Sequence, residues 1–238
     1  MFMPFHDNNS LKSIPFQYVT VFLIALNAAA FLALELKQAA SFAIVPAELI
    51  QVRYFGGSAN GPYDLVAVPE GATILTYMFF HGSWMHLIGN MMFLWVFGDN
   101  VEDAIGHFKF LLFYILCGAF AALFHTALTP ESTRPLIGAS GAVAGVIAAY
   151  LMLHPRVRVW VLVMRFFPMQ ISAAWALGFW VVLQFTMVYL TQIGVVKGPI
   201  AWWAHIGGLI AGAVLIVVMR RPGVPLFDRG LTSVREQP

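Results

Sequence analysis

The sequence Gly138-Ala139-Ser140-Gly141-Ala142-Val143-Ala144-Gly145 places one serine among glycines and alanines at the start of an apolar segment. Residues 141–153 carry no charge. As an α-helix they would measure about 20 Å, against a hydrocarbon core of about 30 Å. If the far end of this helix lies at the interface near His154, Ser140 lies about 10 Å inside the membrane. Because lipid cannot satisfy polar groups at that depth, the segment predicts a hydroxyl in a hydrated cavity enclosed by protein.

The composition of the whole chain indicates an integral membrane protein. Of its 238 residues, 60% are hydrophobic and 10% are charged, and the mean hydropathy is +0.80. This length allows about six or seven spans joined by modest loops, so we expect one domain without an appended soluble module. The net charge of +2 and the absence of a basic motif that reads a duplex argue against a nucleic-acid partner. The partner expected from composition is the lipid bilayer.

Six apolar segments are expected to form an all-α bundle of six transmembrane helices. Their approximate ranges are 14–34, 84–97, 108–128, 141–153, 169–190 and 202–219. We therefore divide the chain into a cytoplasmic N-terminal segment (1–13), a six-helix membrane domain (14–220) and a loosely ordered cytoplasmic tail (221–238). The long segment 35–73 has apolar patches of its own, which is typical of functional or membrane-associated loops.

The positions of lysine and arginine predict the orientation, because cytoplasmic loops are enriched in these residues. With the N-terminus inside, nine lie on the cytoplasmic side and four on the other: Lys12, Lys109, Arg156, Arg158, Arg165, Arg220, Arg221, Arg229 and Arg235 against Lys37, Arg53, Arg134 and Lys197. Both termini are therefore expected in the cytoplasm. The second, fourth and sixth spans would then begin on the outer side, which brings His86, Ser140 and His205 into one layer of the membrane.

His205 is the candidate base for Ser140, since a serine hydroxyl needs a neighbouring group that accepts its proton. Small residues on the two helices are expected to let these side chains meet, because glycine stripes allow helix backbones to approach closely. The stripes consist of Gly141, Ala144, Gly145 and Ala148 on the serine helix and of Gly208 and Gly212 on the sixth span. Plain helix packing is the alternative explanation for such stripes.

His86, Asn90 and the backbone N–H of Ser140 are candidate donors to an oxyanion. His86 and Asn90 are four residues apart and share one helical face, and both side chains can donate hydrogen bonds. The alternatives are an interhelical hydrogen bond for Asn90 and a core or interfacial position for His86. No Asp or Glu lies in the outer half of any span, so the pattern predicts a two-residue catalytic pair without a third triad member.

His81 and His86 raise the alternative of a metal site. On one helix two side chains five residues apart would diverge by about 140°, and no cysteine or carboxylate accompanies this pair. We therefore expect no metal and no other cofactor.

Four motifs in this order resemble those of the rhomboid intramembrane serine proteases, and the resemblance extends from the first span to the sixth. They are His81-Gly82-Ser83-Trp84-Met85-His86-Leu87-Ile88-Gly89-Asn90, Phe97-Gly98-Asp99-Asn100-Val101-Glu102-Asp103, Gly138-Ala139-Ser140-Gly141, and Ala204-His205-Ile206-Gly207-Gly208 with Gly212. The resemblance implies a six-helix bundle with Ser140 as nucleophile, His205 as general base, and His86 with Asn90 in the oxyanion hole.

The resemblance also implies a substrate class and a location. The substrates would be other membrane proteins, cut in or beside their transmembrane segments, with access past the fifth helix and under a capping loop at about 192–200. We expect a multi-pass protein of a bacterial inner membrane whose active site opens to the outer side.

The chain departs from this family in two places. Some bacterial relatives carry an aromatic residue four positions after the nucleophile, stacked on the base, whereas this chain has Ala144. The Trp-Arg pair found in the first loop of some relatives is also missing, and Arg53-Tyr54 is not an evident replacement. Neither departure removes a reacting group, but the first leaves open how the imidazole is held.

A non-catalytic membrane protein is the competing function: a rhomboid-like chaperone or binding protein, or a small transporter. A transporter would be expected to show internal repeats and broken helices, and the two halves of this sequence show no such similarity. An inactive relative would be expected to lack Ser140 or His205, and both are present. The pattern indicates no particular oligomeric state.

Overall fold

The fold is mostly helical in the computed structural model, which describes residues 2–55, 68–163, 167–198 and 200–228. The helices in these ranges are α1 (Tyr18–Ala33), α2 (Leu36–Ala39), α3 (Pro46–Phe55), α4 (Glu70–Thr76), α5 (Trp84–Ile105), α6 (His107–Leu128), α7 (Ser140–Leu153), α8 (Ala173–Gln192) and α9 (Trp202–Met219). Strands β1 (Phe2–Asp7), β2 (Arg158–Val163) and β3 (Phe167–Ser172) accompany them.

Three helices of the described residues, α6, α8 and α9, are long and apolar enough to cross a membrane. The helices α1 and α7 are also apolar but shorter, with 16 and 14 residues. The 22 residues of α5 include Asp99, Glu102 and Asp103 near its end. Each predicted span thus overlaps one helix, while length and composition alone support three full spans.

The serine helix α7 is the buried centre of the bundle and packs against α5, α6 and α9. Residues 141–150 and Leu153 are buried. A helix that is enclosed on all sides needs an apolar surface on all sides, which explains why this stretch carries no charge. Ser140 therefore lies at one end of the most enclosed helix.

Glycines bring α7 and α9 into close contact. A Cβ atom at Gly208 would overlap the carbonyl oxygen of Gly141, and a Cβ at Gly212 would overlap that of Gly145. A Cβ at Gly145 would lie 2.5 Å from Cys117 Sγ, and one at Gly141 would lie 2.6 Å from a Cβ of α6. All four glycines of the two predicted stripes thus lie at contacts that are too close for a larger residue.

Two carboxylates at the end of α5 bind the start of α1 and the chain before it. Glu102 accepts hydrogen bonds from the N–H groups of Val19 and Thr20, at 3.0 and 2.8 Å, and from Thr20 Oγ1 at 2.7 Å. Asp103 accepts from the N–H groups of residues 12, 13 and 14 at 3.0, 2.6 and 2.8 Å. Because the first N–H groups of a helix have no partners within it, the buried Glu102 caps α1 from another helix.

A small antiparallel sheet in the order β1-β2-β3 corrects the all-α expectation. In the β2–β3 hairpin Arg158 lies opposite Ser172, and β1 pairs with the other edge of β2. The sequence of β2 is rich in valine and contains Trp160, and such residues favour strands. Residues 169–172 therefore belong to β3 and not to the predicted fifth span, and α8 begins at Ala173.

Both predicted terminal segments are partly structured. Residues 2–7 form β1. The described part of the tail returns to α7, where the N–H groups of Phe227 and Asp228 donate to the carbonyls of Met152 and Leu153. The expectation of a loosely ordered tail is therefore wrong for residues 221–228. The predictions for residues 229–238, for Arg165 and for the side chains of Arg53 and Tyr54 lie outside the described residues.

Candidate active site

Ser140 is the first residue of α7, and hydrogen bonds hold the segment before it. Leu136 exchanges two backbone hydrogen bonds with Ile44, at 3.0 and 2.7 Å, and the N–H of Gly138 donates to the carbonyl of Tyr77 at 3.0 Å. Gly138 has a φ of +120°, and a Cβ there would lie 2.5 Å from His86 Cε1. Only glycine satisfies both conditions. Gly138 thus lets the chain turn into α7 with the His86 ring directly against it.

Ser140 and His205 are joined by a hydrogen bond. Ser140 Oγ lies 2.9 Å from His205 Nε2, although the two residues are 65 positions apart. His205 lies in the first turn of α9 and is 9% exposed, whereas Ser140 is partly exposed. The close packing of α7 on α9 is what allows the two side chains to meet.

The second ring nitrogen of His205 has a partner that sequence reasoning missed. Nδ1 lies 2.8 Å from Oε1 of Gln184 on α8. The other end of the same amide, Nε2, donates to the carbonyl of Trp180 at 2.8 Å. The usual third partner of a catalytic serine and histidine is a carboxylate, so the sequence gives no direct indication of a neutral amide in this position. The available signal was a glutamine midway along an apolar helix.

Two tryptophans surround the imidazole of His205. The ring of Trp180 lies 5.9 Å away with an interplanar angle of 34°, and that of Trp202 lies 5.8 Å away at 88°. Ala144 instead packs in an apolar cluster with residues of α8 and α9. The aromatic neighbours of the base therefore come from α8 and α9 and not from the position four residues after Ser140.

His86 and Asn90 both lie on α5 but contact different partners. His86 is in the first turn of α5, where its backbone N–H donates to Oγ of the capping Ser83 at 3.2 Å. The imidazole ring of His86 faces Gly138. Asn90 Nδ2 lies 3.0 Å from His81 Nε2, and the N–H of Ala139 donates to the same nitrogen at 3.4 Å. His81 Nε2 is therefore an acceptor and links Asn90 to the residue before Ser140.

His81 precedes α5, which begins at Trp84, so the divergence of about 140° expected for two side chains on one helix does not apply to His81 and His86. The two rings are 5.0 Å apart in an edge-to-face arrangement. His81 is 2% exposed, and within the described residues its Nδ1 has no hydrogen-bond partner. The same part of the chain contains no group of three or more side chains that could hold a metal ion, whereas a zinc site uses at least three protein ligands.

A cavity of about 230 Å³ borders the segment that leads to Ser140 and the first turn of α9. His125, Arg134 and Trp202 are among its lining residues. Arg134 Nη1 donates to the carbonyl of Gly198 at 3.0 Å, which ties the chain before Ser140 to the loop after α8. In the predicted capping loop, residues 192–200, only Pro199 lies outside the described residues.

Comparison with known protein families identifies the family of this chain. The family model described as the Rhomboid domain matches residues 69–222, which is more than half of the chain and includes all the candidate site residues. The chain belongs to the rhomboid family. This result confirms the family that the four sequence motifs predicted. With its apolar helices, this rhomboid is a multi-pass membrane protein.

Curated relatives of this rhomboid come from plants and bacteria, among other sources. Rhomboid-like protein 11, chloroplastic, from Arabidopsis thaliana is 38% identical over 80 residues, which is 34% of this chain and 28% of the relative. Rhomboid protease AarA from Providencia stuartii is 31% identical over 164 residues, covering 59% and 53%. RHOMBOID-like protein 5 from Arabidopsis thaliana is 26% identical over 159 residues, covering 66% and 47%. The chain spans about half or less of the length of these relatives.

Proposed function

We propose that this rhomboid is a serine-type intramembrane endopeptidase, which hydrolyses peptide bonds in or next to the transmembrane segments of other membrane proteins. The observation that carries the proposal is the 2.9 Å hydrogen bond between Ser140 Oγ and His205 Nε2. An imidazole that binds a hydroxyl in this way can take its proton and make it a nucleophile. The name of one relative, Rhomboid protease AarA, adds support at the level of the family.

In the proposed reaction Ser140 Oγ attacks the carbonyl carbon of the scissile bond while its proton passes to His205 Nε2. The tetrahedral intermediate then loses its C–N bond, and His205 returns the proton to the leaving amine. Water hydrolyses the resulting ester in the same manner. It gives one proton to His205 Nε2, its oxygen bonds to the acyl carbon, and Ser140 Oγ leaves with the proton from His205.

Three groups are proposed to stabilise the oxyanion. The N–H of Ser140 lies in the first turn of α7, where backbone donors have no partner within the helix and the dipole favours negative charge. His86 lies against Gly138, two residues before the nucleophile. Asn90 uses one N–H for His81, and its amide nitrogen carries a second one. Each such donor is typically worth about 10²- to 10³-fold in rate.

We infer a membrane domain of six spans, built from α1, α5, α6, α7, α8 and α9, with both termini in the cytoplasm. Arg156, Arg158, Arg220 and Arg221 follow the C-terminal ends of α7 and α9, whereas Ser140 and His205 lie at the N-terminal ends of the same helices. Because basic residues are enriched on the cytoplasmic side of membrane proteins, this arrangement supports a site that opens towards the other side. Relatives named as chloroplastic and mitochondrial accompany the bacterial one, so the expected bacterial inner membrane stays a prediction.

Reconstitution of the purified protein in liposomes with single-span reporter proteins tests the proposed function. The protein should cut a reporter in or beside its span, as measured by the masses of the fragments. Ser140→Ala and His205→Ala should each abolish cleavage, while the exposed control variants Ser13→Ala and His6→Ala should keep it. Full activity of either site variant would contradict the assignment. Stable binding of reporters without any cleavage by the unmodified protein would favour the non-catalytic alternative.

A further inference from the structure

Gln184 is a buried polar residue on the most exposed of the long helices. Gln184 is only 2% exposed. In the last four turns of α8, Gln184 and Val188 are the buried residues, while Phe179, Val182, Phe185 and Tyr189 are exposed. A buried amide costs free energy unless its donors and acceptor are paired. Gln184 uses both ends of its amide, one on its own helix and one on His205.

The hydrogen bond to Trp180 fixes which end of the amide faces the histidine. A backbone carbonyl only accepts, so the group 2.8 Å from Trp180 O is the NH₂ of Gln184. The oxygen Oε1 therefore faces His205, at 2.8 Å from Nδ1. Since an amide oxygen also only accepts, Nδ1 of His205 has to carry the hydrogen. In a neutral imidazole the lone pair is then on Nε2, the atom that faces Ser140 Oγ.

We propose that Gln184 is a positioning residue for the base: it holds His205 in the Nδ1–H tautomer with Nε2 turned towards Ser140. The inference rests on the proposed Ser140–His205 chemistry. Through both halves of the reaction the proton on Nδ1 stays in place, while the transferred proton enters and leaves at Nε2. The partially negative carbonyl oxygen of Gln184 also stabilises the positive charge of the imidazolium that forms. The carboxylate has this function in a Ser-His-Asp triad.

A neutral partner suits this position in the bundle. A carboxylate buried among apolar side chains carries a large desolvation cost, and the two tryptophans and the apolar residues of α7, α8 and α9 surround this site. The amide orients the same nitrogen without a buried charge. The chain has Ala144 where some relatives have an aromatic residue that stacks on the base. Here the imidazole is oriented by a hydrogen bond to α8 in place of that aromatic ring on α7.

The hydrogen bond also couples the position of α8 to the alignment of the base. His205 and Ser140 lie on α9 and α7, whose glycine contacts fix them to each other, whereas Gln184 lies on a helix with few buried side chains. A displacement of α8 that removes Oε1 leaves the buried Nδ1–H unpaired and the imidazole free to rotate or change tautomer. Activity should therefore depend on the position of α8 even when Ser140, His205, α7 and α9 stay unchanged.

Nitrogen NMR of the detergent-solubilised protein with ¹⁵N-labelled histidine tests the tautomer directly. The signals of His205 are identified by their loss in His205→Ala. The unmodified protein should show the Nδ1-protonated pattern at neutral pH, and Gln184→Met should show the Nε2-protonated pattern or a mixture. An Nε2-protonated His205 in the unmodified protein, or an unchanged pattern in Gln184→Met, would overturn the proposal. This measurement does not require enzymatic activity, so its result is independent of the proposed function.

Kinetics of reporter cleavage and of Ser140 labelling by a water-soluble fluorophosphonate provide the second test. Gln184→Met should lower kcat and the labelling rate by about tenfold to hundredfold, the loss expected when a buried donor is left unpaired, with KM within about twofold. Gln184→Glu keeps an acceptor oxygen and should recover most of the labelling rate and the Nδ1–H pattern.

Thr186→Val on the same helix is the matched control, since Thr186 Oγ1 donates only to the carbonyl of Val182, at 3.0 Å, and it should leave both rates unchanged. If Gln184→Met retains the full rates, or if Gln184→Glu folds but recovers neither the rate nor the tautomer, the positioning function is wrong. If the unmodified protein neither cleaves nor labels, the proposed function is wrong, and the tautomer measurement alone decides the inference.

Discussion

Gly208 on α9 lies so close to Gly141 on α7 that a Cβ at Gly208 would overlap the carbonyl oxygen of Gly141 and lie 2.9 Å from its carbonyl carbon. Both atoms belong to the backbone, so they cannot move aside as the end of a side chain could. Gly141 is the residue after Ser140, and Gly208 is one turn after His205. The same contact that limits the residue at position 208 therefore sets the distance between nucleophile and base.

Gly208→Ala should separate α7 from α9 and lower reporter cleavage at least about tenfold, because displacements of about 1 Å at a catalytic pair have effects of this size or larger. Cleavage kinetics measured beside thermal unfolding give the result. Gly178→Ala on α8 is the matched control, since a Cβ there meets nothing within 4 Å. Alanine also favours a helix over glycine, so this control should be as stable as the unmodified protein or more so. Equal activity of both variants would show that close packing does not align the pair.

The centre of the fold could be predicted from sequence because its signals are local. The uncharged stretch after Ser140 and the glycine spacings on two helices are each visible within about a dozen residues, and the observed α9 has the bounds predicted for the sixth span. The sheet could not be predicted in this way. Its strand β1 pairs with β2 more than 150 positions later, and β3 is apolar enough to read as the start of a span.

Two parts of the candidate site also escaped the sequence for physical reasons. Gln184 is a neutral partner on an apolar helix, whereas the third member of a serine–histidine site is ordinarily an acid. The five-residue spacing of His81 and His86 is compatible with one continuous helix, but Ser83 caps α5 after His81, so the ring of His81 turns back towards Asn90. Side-chain contacts across a helix start depend on the path of the chain, which residue spacing does not specify.

His81 should matter for activity without being a reacting group. His81→Ala leaves the buried amide of Asn90 and the N–H of Ala139 without their shared acceptor, at a cost of about 1–3 kcal/mol, and cleavage should fall about tenfold. His81→Gln, which offers an acceptor oxygen, should retain more activity. A double-mutant cycle with Asn90→Ala measures the link, since coupled residues show non-additive effects. Fully additive losses would mean that His81 does not act through Asn90.

Glu102→Gln should destabilise the fold. Glu102 accepts hydrogen bonds from Val19 and Thr20 and lies 2.5 Å from His107 Nδ1, and a glutamine would present an NH₂ group to donors. The loss of one charged hydrogen bond costs about 1.5–3 kcal/mol, which lowers the Tm by about 3–10 °C for a chain of this size. Thermal unfolding in detergent measures the shift. The exposed Glu131→Gln is the control and should leave the Tm unchanged; a Tm of Glu102→Gln equal to it would contradict the capping interpretation.

Docking of the N-terminal strand should weaken as the pH rises. Asp7 is buried beside Tyr150 and Asn100, and desolvation raises the pKa of Asp7 to about 6 from a usual value of 3.8. Between about pH 4 and pH 6, the Asp7 carboxyl therefore keeps its proton when β1 is docked but loses it when β1 is undocked. The stabilisation from this proton is therefore present below about pH 4 and lost as the pH rises through about 6.

Hydrogen exchange of residues 2–8, corrected for intrinsic rates, should show about tenfold more protection at pH 5 than at pH 7.5, since one unit of pKa corresponds to a tenfold change in equilibrium. Asp7→Asn, which cannot ionise, should remove this difference. Protection that increases with pH in the unmodified protein, or that changes equally in Asp7→Asn, would show that Asp7 does not control the docking of β1.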